Sequence, residues 1–147
     1  QRRTLPFADF AQGFMTPGLA PEELLVAVRL PPLPGGAGCC FLEFARRHGD
    51  YALVAVAVAL MPDGAGRIAS ARVALGGVGP VPTRLPEAEA ALRGAAPGPD
   101  AFARAAEAMR GLDPMEDALV PAWYRRHLAG VLLGRALATA AARMGHP

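Results

Sequence analysis

The sequence predicts an α+β fold, an antiparallel sheet of three to four strands followed by three helices packed on one face. Three observations predict it. Apolar residues between Cys39 and Leu75 recur with period two, as half-buried strands require. From Pro86 onward the chain carries helix start and stop signals. The strands precede the helices without interleaving, which favours segregated layers over a parallel crossover sheet. A length of 147 residues suits a single core of ordinary domain size.

Residues 1–34 differ from the rest. Pro6, Pro17, Pro21, Pro31, Pro32 and Pro34 interrupt them, and Leu24–Leu30 is the one strand-like stretch. The run Pro31-Pro32-Leu33-Pro34-Gly35-Gly36 reads as a boundary, because proline removes ladder donors and glycine loosens the chain. A segment this broken buries little by itself. It reads as a leader, and residues 35–147 as the domain proper.

Cys39–Arg46 supplies the first strand of the meander. In Tyr51–Met61, Val54, Val56, Val58 and Leu60 share one face and Ala55, Ala57 and Ala59 the other, which suits close helix approach. Pro62-Asp63-Gly64-Ala65-Gly66 is a turn: proline presets φ, and glycine accepts positive φ. Arg67–Leu75 returns as the next strand, with Ala69, Ala71, Val73 and Leu75 expected inward.

Pro86 suits a first helical position, with Glu87 and Glu89 at the positive end and Gly94 at the stop. Asp100 is expected to cap a second helix ending near Gly111. Pro121 opens a third, reaching about Met144. Leu128, Val131, Leu132 and Leu137 ring that helix with only Arg135 interrupting, so it is expected to be buried.

Composition excludes several chemistries. The chain has 15 arginines but no lysine, so a Schiff-base or phosphate-loop lysine is impossible. Ser70 is the only serine and sits mid-strand, outside any nucleophile elbow. Cys39 and Cys40 are adjacent and read as reduced thiols, which fits a reducing cytoplasm. With His48, His127 and His146 they assemble no zinc spacing, so no metal site is expected. A net charge of +2 with scattered basic residues gives no footprint for nucleic acid. The charge-free run Tyr51–Met61 is too short to span a membrane. Gly76-Gly77-Val78-Gly79 follows a strand, but Pro80-Val81-Pro82 comes next, so a plain turn is expected and not a phosphate loop. No catalytic residue is singled out.

Two clusters remain. Arg46-Arg47-His48-Gly49-Asp50-Tyr51 gathers charge and an aromatic between two apolar strands. It reads either as a solvated connection with a capping Asp50, or as a loop presenting a planar ring and a carboxylate to a ligand. Trp123-Tyr124-Arg125-Arg126-His127 opens the last helix. Its aromatics are expected to anchor the helix to the sheet, while an arginine satisfies backbone carbonyls or a carboxylate such as Asp117.

The block Phe41-Leu42-Glu43-Phe44-Ala45-Arg46-Arg47-His48-Gly49-Asp50-Tyr51-Ala52 resembles the start of the C-terminal domain of the FAD-binding (medium, flavoprotein) subunit of molybdenum hydroxylases. This is the carbon monoxide dehydrogenase and xanthine dehydrogenase family. Ala74–Gly79, Pro82-Thr83-Arg84, Ala88–Gly94 and Tyr124–Leu128, closing on Arg135-Ala136-Leu137, resemble later blocks of that domain in order and spacing. The opening, with Asp9-Phe10, Gly13, Thr16 and Glu22-Glu23-Leu24-Leu25, resembles the exit of the family's FAD-binding domain.

The resemblance implies a fragment of a subunit that relays electrons from iron–sulfur clusters to FAD and on to an acceptor. It implies partners too: an upstream FAD-binding domain, an iron–sulfur small subunit and a molybdenum large subunit. By the same resemblance Asp50 and Tyr51 come near the flavin, Tyr51 packing on its ring, with Arg46 or Arg47 supplying positive charge. Glu43 stands where family members often carry lysine, and that role is not transferred to it. The fragment alone is expected to hold no FAD and to be inactive. The alternative is a self-standing protein-interaction domain with no redox role.

Overall fold

The computed structural model describes residues 1–145, so His146 lies outside the described residues. The leader holds a single helical turn, α1 (Phe7–Phe10), and a small antiparallel hairpin of β1 (Ala11–Gly13) and β2 (Thr16–Pro17). Arg3 ties it together, donating from Nε to Glu23 at 2.5 Å and from an Nη to the Gly18 carbonyl at 2.8 Å. Leu24–Leu30 forms no strand, which corrects the strand-like reading. Leu24 is 81% exposed and Leu30 84%. An apolar alternation becomes a strand only beside a partner that takes its N–H and C=O groups, and none lies beside it among the described residues.

The main sheet contains β3 (Gly38–Phe44), β4 (Val54–Pro62), β5 (Ile68–Gly76) and the two-residue β6 (Thr83–Arg84). They lie in the order β3-β4-β5-β6, every pair antiparallel. Val54, Val56, Val58 and Leu60 are all buried, on the face the helices cover. The alanines of β4 point the other way and Ala57 is exposed, so close helix approach belongs to the valine face alone. Cys39 and Cys40 are free thiols on β3, Cys40 buried.

The inward set of β5 needs one correction. Ala71, Val73 and Leu75 are buried as expected, but Ala69 is exposed and Ile68 is buried in its place. Met61 pairs with Ser70 and Pro62 with Ile68, so Ala69 is the extra residue of a bulge. One inserted residue reverses which side chains point inward.

Helix α2 (Pro86–Leu92) begins with Pro86 as expected. Its Glu89 carboxylate accepts the Val73 N–H at 2.9 Å and two donors from Arg84 at 2.7 Å each, fastening helix to sheet. The chain then reverses through Gly94 at φ +73°, with the Ala95 N–H donating to Leu92. Helix α3 (Pro99–Ala106) continues as a 3₁₀ segment to Gly111. Asp100 does not cap it: Pro99 already occupies the first turn, Gly98 takes the cap position, and Asp100 lies inside.

Helix α4 (Ala122–Ala142) starts after Pro121. It is not buried all round. Ala129, Leu132, Leu133, Ala136, Leu137 and Ala140 form one buried stripe, while Val131 and Arg135 are exposed. The alanines explain the difference, because they complete the stripe and also dilute the polarity of the opposite face. Gly38 admits α4 to the edge of β3, since a Cβ there would strike the Ala140 carbonyl. No helix of the described residues is long and apolar enough to cross a membrane.

Candidate functional site

Strands β3 and β4 are joined by the loop Ala45–Leu53, longer than the roughly 2–5 residues common in hairpins. The Leu53 N–H donates to the Phe44 carbonyl at 2.8 Å and closes its base. Near its tip the Asp50 N–H donates to Arg47 at 3.2 Å, and Gly49 takes φ +87°, which a residue with a Cβ enters only at a cost. Tyr51, two residues after Gly49, is 99% exposed.

All four residues singled out from the sequence, Arg46, Arg47, Asp50 and Tyr51, lie on this loop and are exposed. They differ in engagement. Arg46 donates to the Leu119 carbonyl at 3.2 Å. The side chains of Arg47, Asp50 and Tyr51 make no hydrogen bond or ion pair within the described residues. The structure thus distinguishes the two arginines: one is tethered and the other is available. Glu43 is exposed on β3, opposite Ala55 and before the loop begins.

Beneath the loop lies Arg125, only 4% exposed. One Nη donates to the carbonyls of Leu53 at 2.6 Å and Gly77 at 2.9 Å, and the other meets the Asp117 carboxylate at 2.5 Å. Its buried Nε has no partner. Asp117 also accepts the N–H groups of Leu119 and Val120 at 2.8 and 2.9 Å. The Leu119 N–H first, then the Val120 N–H and the Arg125 guanidinium, hold the Asp117 carboxyl below the usual carboxylate range against the opposing burial penalty.

The expected arginine that satisfies carbonyls and Asp117 is therefore Arg125. Its aromatic neighbours do not all anchor the helix: Trp123 is 66% exposed and meets Tyr124 edge-on at 5.6 Å. Composition gave no hint that Arg125 supports the other cluster. The usable signal was positional, since Arg125 falls on the same stripe as Ala129, Leu132 and Ala136, where a charge has to find partners.

Gly76–Gly79 leads to β6 and not to a helix N-terminus, as the turn reading expected. Gly77 has φ +74°, and a Cβ there would sit 2.5 Å from the Leu53 carbonyl oxygen. Its glycine therefore serves backbone packing under the loop. Among the described residues no group of His, Cys, Asp and Glu is placed to hold a metal ion.

The arrangement is a planar side chain and a free guanidinium held outward on a loop whose two ends are fastened from below. It can pack against and polarise a flat partner, and it holds no nucleophile–base pair.

The family described as CO dehydrogenase flavoprotein C-terminal domain matches residues 40–140. The carbon monoxide dehydrogenase medium chain of Afipia carboxidovorans is 38% identical over 80 residues, covering 54% of this chain and 27% of that one. Among solved structures, carbon monoxide dehydrogenase from Hydrogenophaga pseudoflava superposes with a TM-score of 0.89 at 35% identity, over 97% of this chain and 50% of its own. Quinoline 2-oxidoreductase from Pseudomonas putida 86 gives 0.86 at 36% identity, over 95% and 48%. The chain thus spans about a quarter of the curated relative's length and about half of these solved chains.

Proposed function

The chain belongs to the CO dehydrogenase flavoprotein C-terminal domain family, and from that premise we propose that it forms the C-terminal part of an FAD-binding medium subunit in a molybdenum hydroxylase-type oxidoreductase. Residues 1–34 are the exit of an upstream FAD-binding domain with its linker, and residues 35–147 the C-terminal domain. FAD, when bound, supplies the redox chemistry, taking electrons from iron–sulfur clusters and passing them to an acceptor.

The part played by this chain is positional. The observation that carries the reading is Tyr51, 99% exposed at the tip of a fastened loop. Its ring is free to cover one face of an isoalloxazine and exclude water from it. Arg47 offers positive charge beside that ring, which favours negative charge accumulating on a reduced flavin. Asp50 adds an acceptor-only carboxylate. These groups fit the ring end of FAD. The Gly76–Gly79 run leads into a strand, so contacts to the pyrophosphate fall to the upstream domain.

The exposed Leu24–Leu30 run suits burial against that upstream domain, and the exposed Phe44, Leu119 and Trp123 suit burial against it or against partner subunits. The free thiols suit a reducing compartment such as the cytoplasm.

The test is Tyr51→Ala in the full-length subunit. A stacking contribution of roughly 0.5–1.5 kcal/mol predicts up to about a tenfold weaker hold on FAD, or a shifted potential, with the fold intact. An unchanged FAD dissociation constant together with an unchanged redox titration removes Tyr51 from the flavin.

A further inference from the structure

A buried guanidinium is a poor device for stability alone, because desolvation offsets much of its attraction. Its fixed fork, however, holds several acceptors in one geometry. Arg125 uses that fork on three of them. It grips the Leu53 carbonyl, two residues after Tyr51, and the Gly77 carbonyl at the end of the neighbouring strand β5. It also meets Asp117, which takes the Leu119 N–H, and the Leu119 carbonyl in turn accepts Arg46. The two ends of the Arg46–Leu53 segment are therefore joined through one connected circuit: Arg46, Leu119, Asp117, Arg125, Leu53. Tyr51 itself makes no contact that would fix it, so its position is inherited from this circuit.

We propose that Arg125 is the positioning residue for Tyr51, holding both ends of the loop so that the ring meets the flavin at one fixed distance and tilt. This rests on the proposed placement of Tyr51 against FAD. Arg125 touches no cofactor and acts only through the loop, so removing it should release Tyr51 together with its loop neighbours Arg47 and Asp50.

The readout is the fluorescence of FAD bound to the full-length subunit, freed of unbound FAD by gel filtration. A phenol stacked on an isoalloxazine quenches its emission, and a displaced one does not. Tyr51→Ala sets the unquenched level. Arg125→Met is expected to lose the same Tyr51-dependent quenching, and the double variant to lose no more, as for residues acting as one unit. Arg125→Lys, which keeps the charge without the fork, should recover only part of it. A role confined to stability would lower the melting midpoint and leave quenching as in the parent.

If Tyr51→Ala unquenches the flavin and Arg125→Met does not, the positioning role is overturned and the placement of Tyr51 stands. If Tyr51→Ala itself leaves emission unchanged, the placement fails and the positioning role falls with it. Should Arg125→Met fail to fold, Arg125→Gln, uncharged and too short to span the Leu53, Gly77 and Asp117 acceptors together, is judged by the same two results.

Discussion

Replacing Gly77 by alanine puts two separate costs on the backbone beneath the loop. The residue sits at φ +74°, where an L side chain costs about 1–2 kcal/mol. The added Cβ would stand 2.5 Å from the Leu53 carbonyl oxygen and about 3.0 Å from its carbon, both backbone atoms that cannot rotate away. Relief requires Leu53 to move, and that carbonyl is held by Arg125 at 2.6 Å. Losing a hydrogen bond to a charged donor costs roughly 1.5–3 kcal/mol. The sum, about 2.5–5 kcal/mol, is a large share of the roughly 5–15 kcal/mol that holds a domain together. At about 2–4 °C per kcal/mol for a chain of this size, the melting midpoint should fall by roughly 5–20 °C. Thermal and urea unfolding followed by circular dichroism measure this directly. Gly134→Ala is the matched control: it lies inside α4 with nothing within 4 Å of a new Cβ, so alanine should stabilise by up to about 1 kcal/mol. A Gly77→Ala chain that melts with the parent, or above it, would refute the close-approach reasoning.

Further outcomes follow from the packing and the charges. Leu133 is fully buried in the hydrophobic core, so Leu133→Ala should destabilise by about 2–5 kcal/mol, seen as a lower urea midpoint with unchanged slope. Asp117 has a depressed folded-state pKa, so its contribution is complete above the ordinary carboxylate value near 4 and is lost as pH falls through the lower folded value. The stability gap between the parent and Asp117→Asn should therefore be constant near neutrality and shrink below about pH 4. A gap that widens on acidification would have the wrong sign.

Much of this architecture was legible because its signals are local. Val54, Val56, Val58 and Leu60 announce a half-buried strand by spacing alone, and Pro86 and Pro121 announce helix starts by fixed φ. What was not legible depends on pairing. The bulge that turns Ala69 out and Ile68 in exists only relative to Met61 and Pro62 on the facing strand. Leu24–Leu30 carries a strand pattern, yet a strand is a property of two segments and this one has no mate among the described residues. The loop was conspicuous in the sequence through its density of charge, but the difference between Arg46 and Arg47 was not. That difference rests on the Leu119 carbonyl, 73 residues away, and the support from Arg125 rests on a contact across 72.

Where the chain enters the sheet and where it leaves the last helix are joined by hydrogen bonds, the Gly145 N–H donating to the Gly36 carbonyl at 2.9 Å and Arg143 to the Cys39 carbonyl at 2.7 Å. A unit whose entrance and exit coincide behaves as a cassette. It can be spliced behind another domain, or recircularised through a short bridge from 145 to 36 and opened at the exposed Asp63–Gly66 turn, without moving any strand from its neighbour.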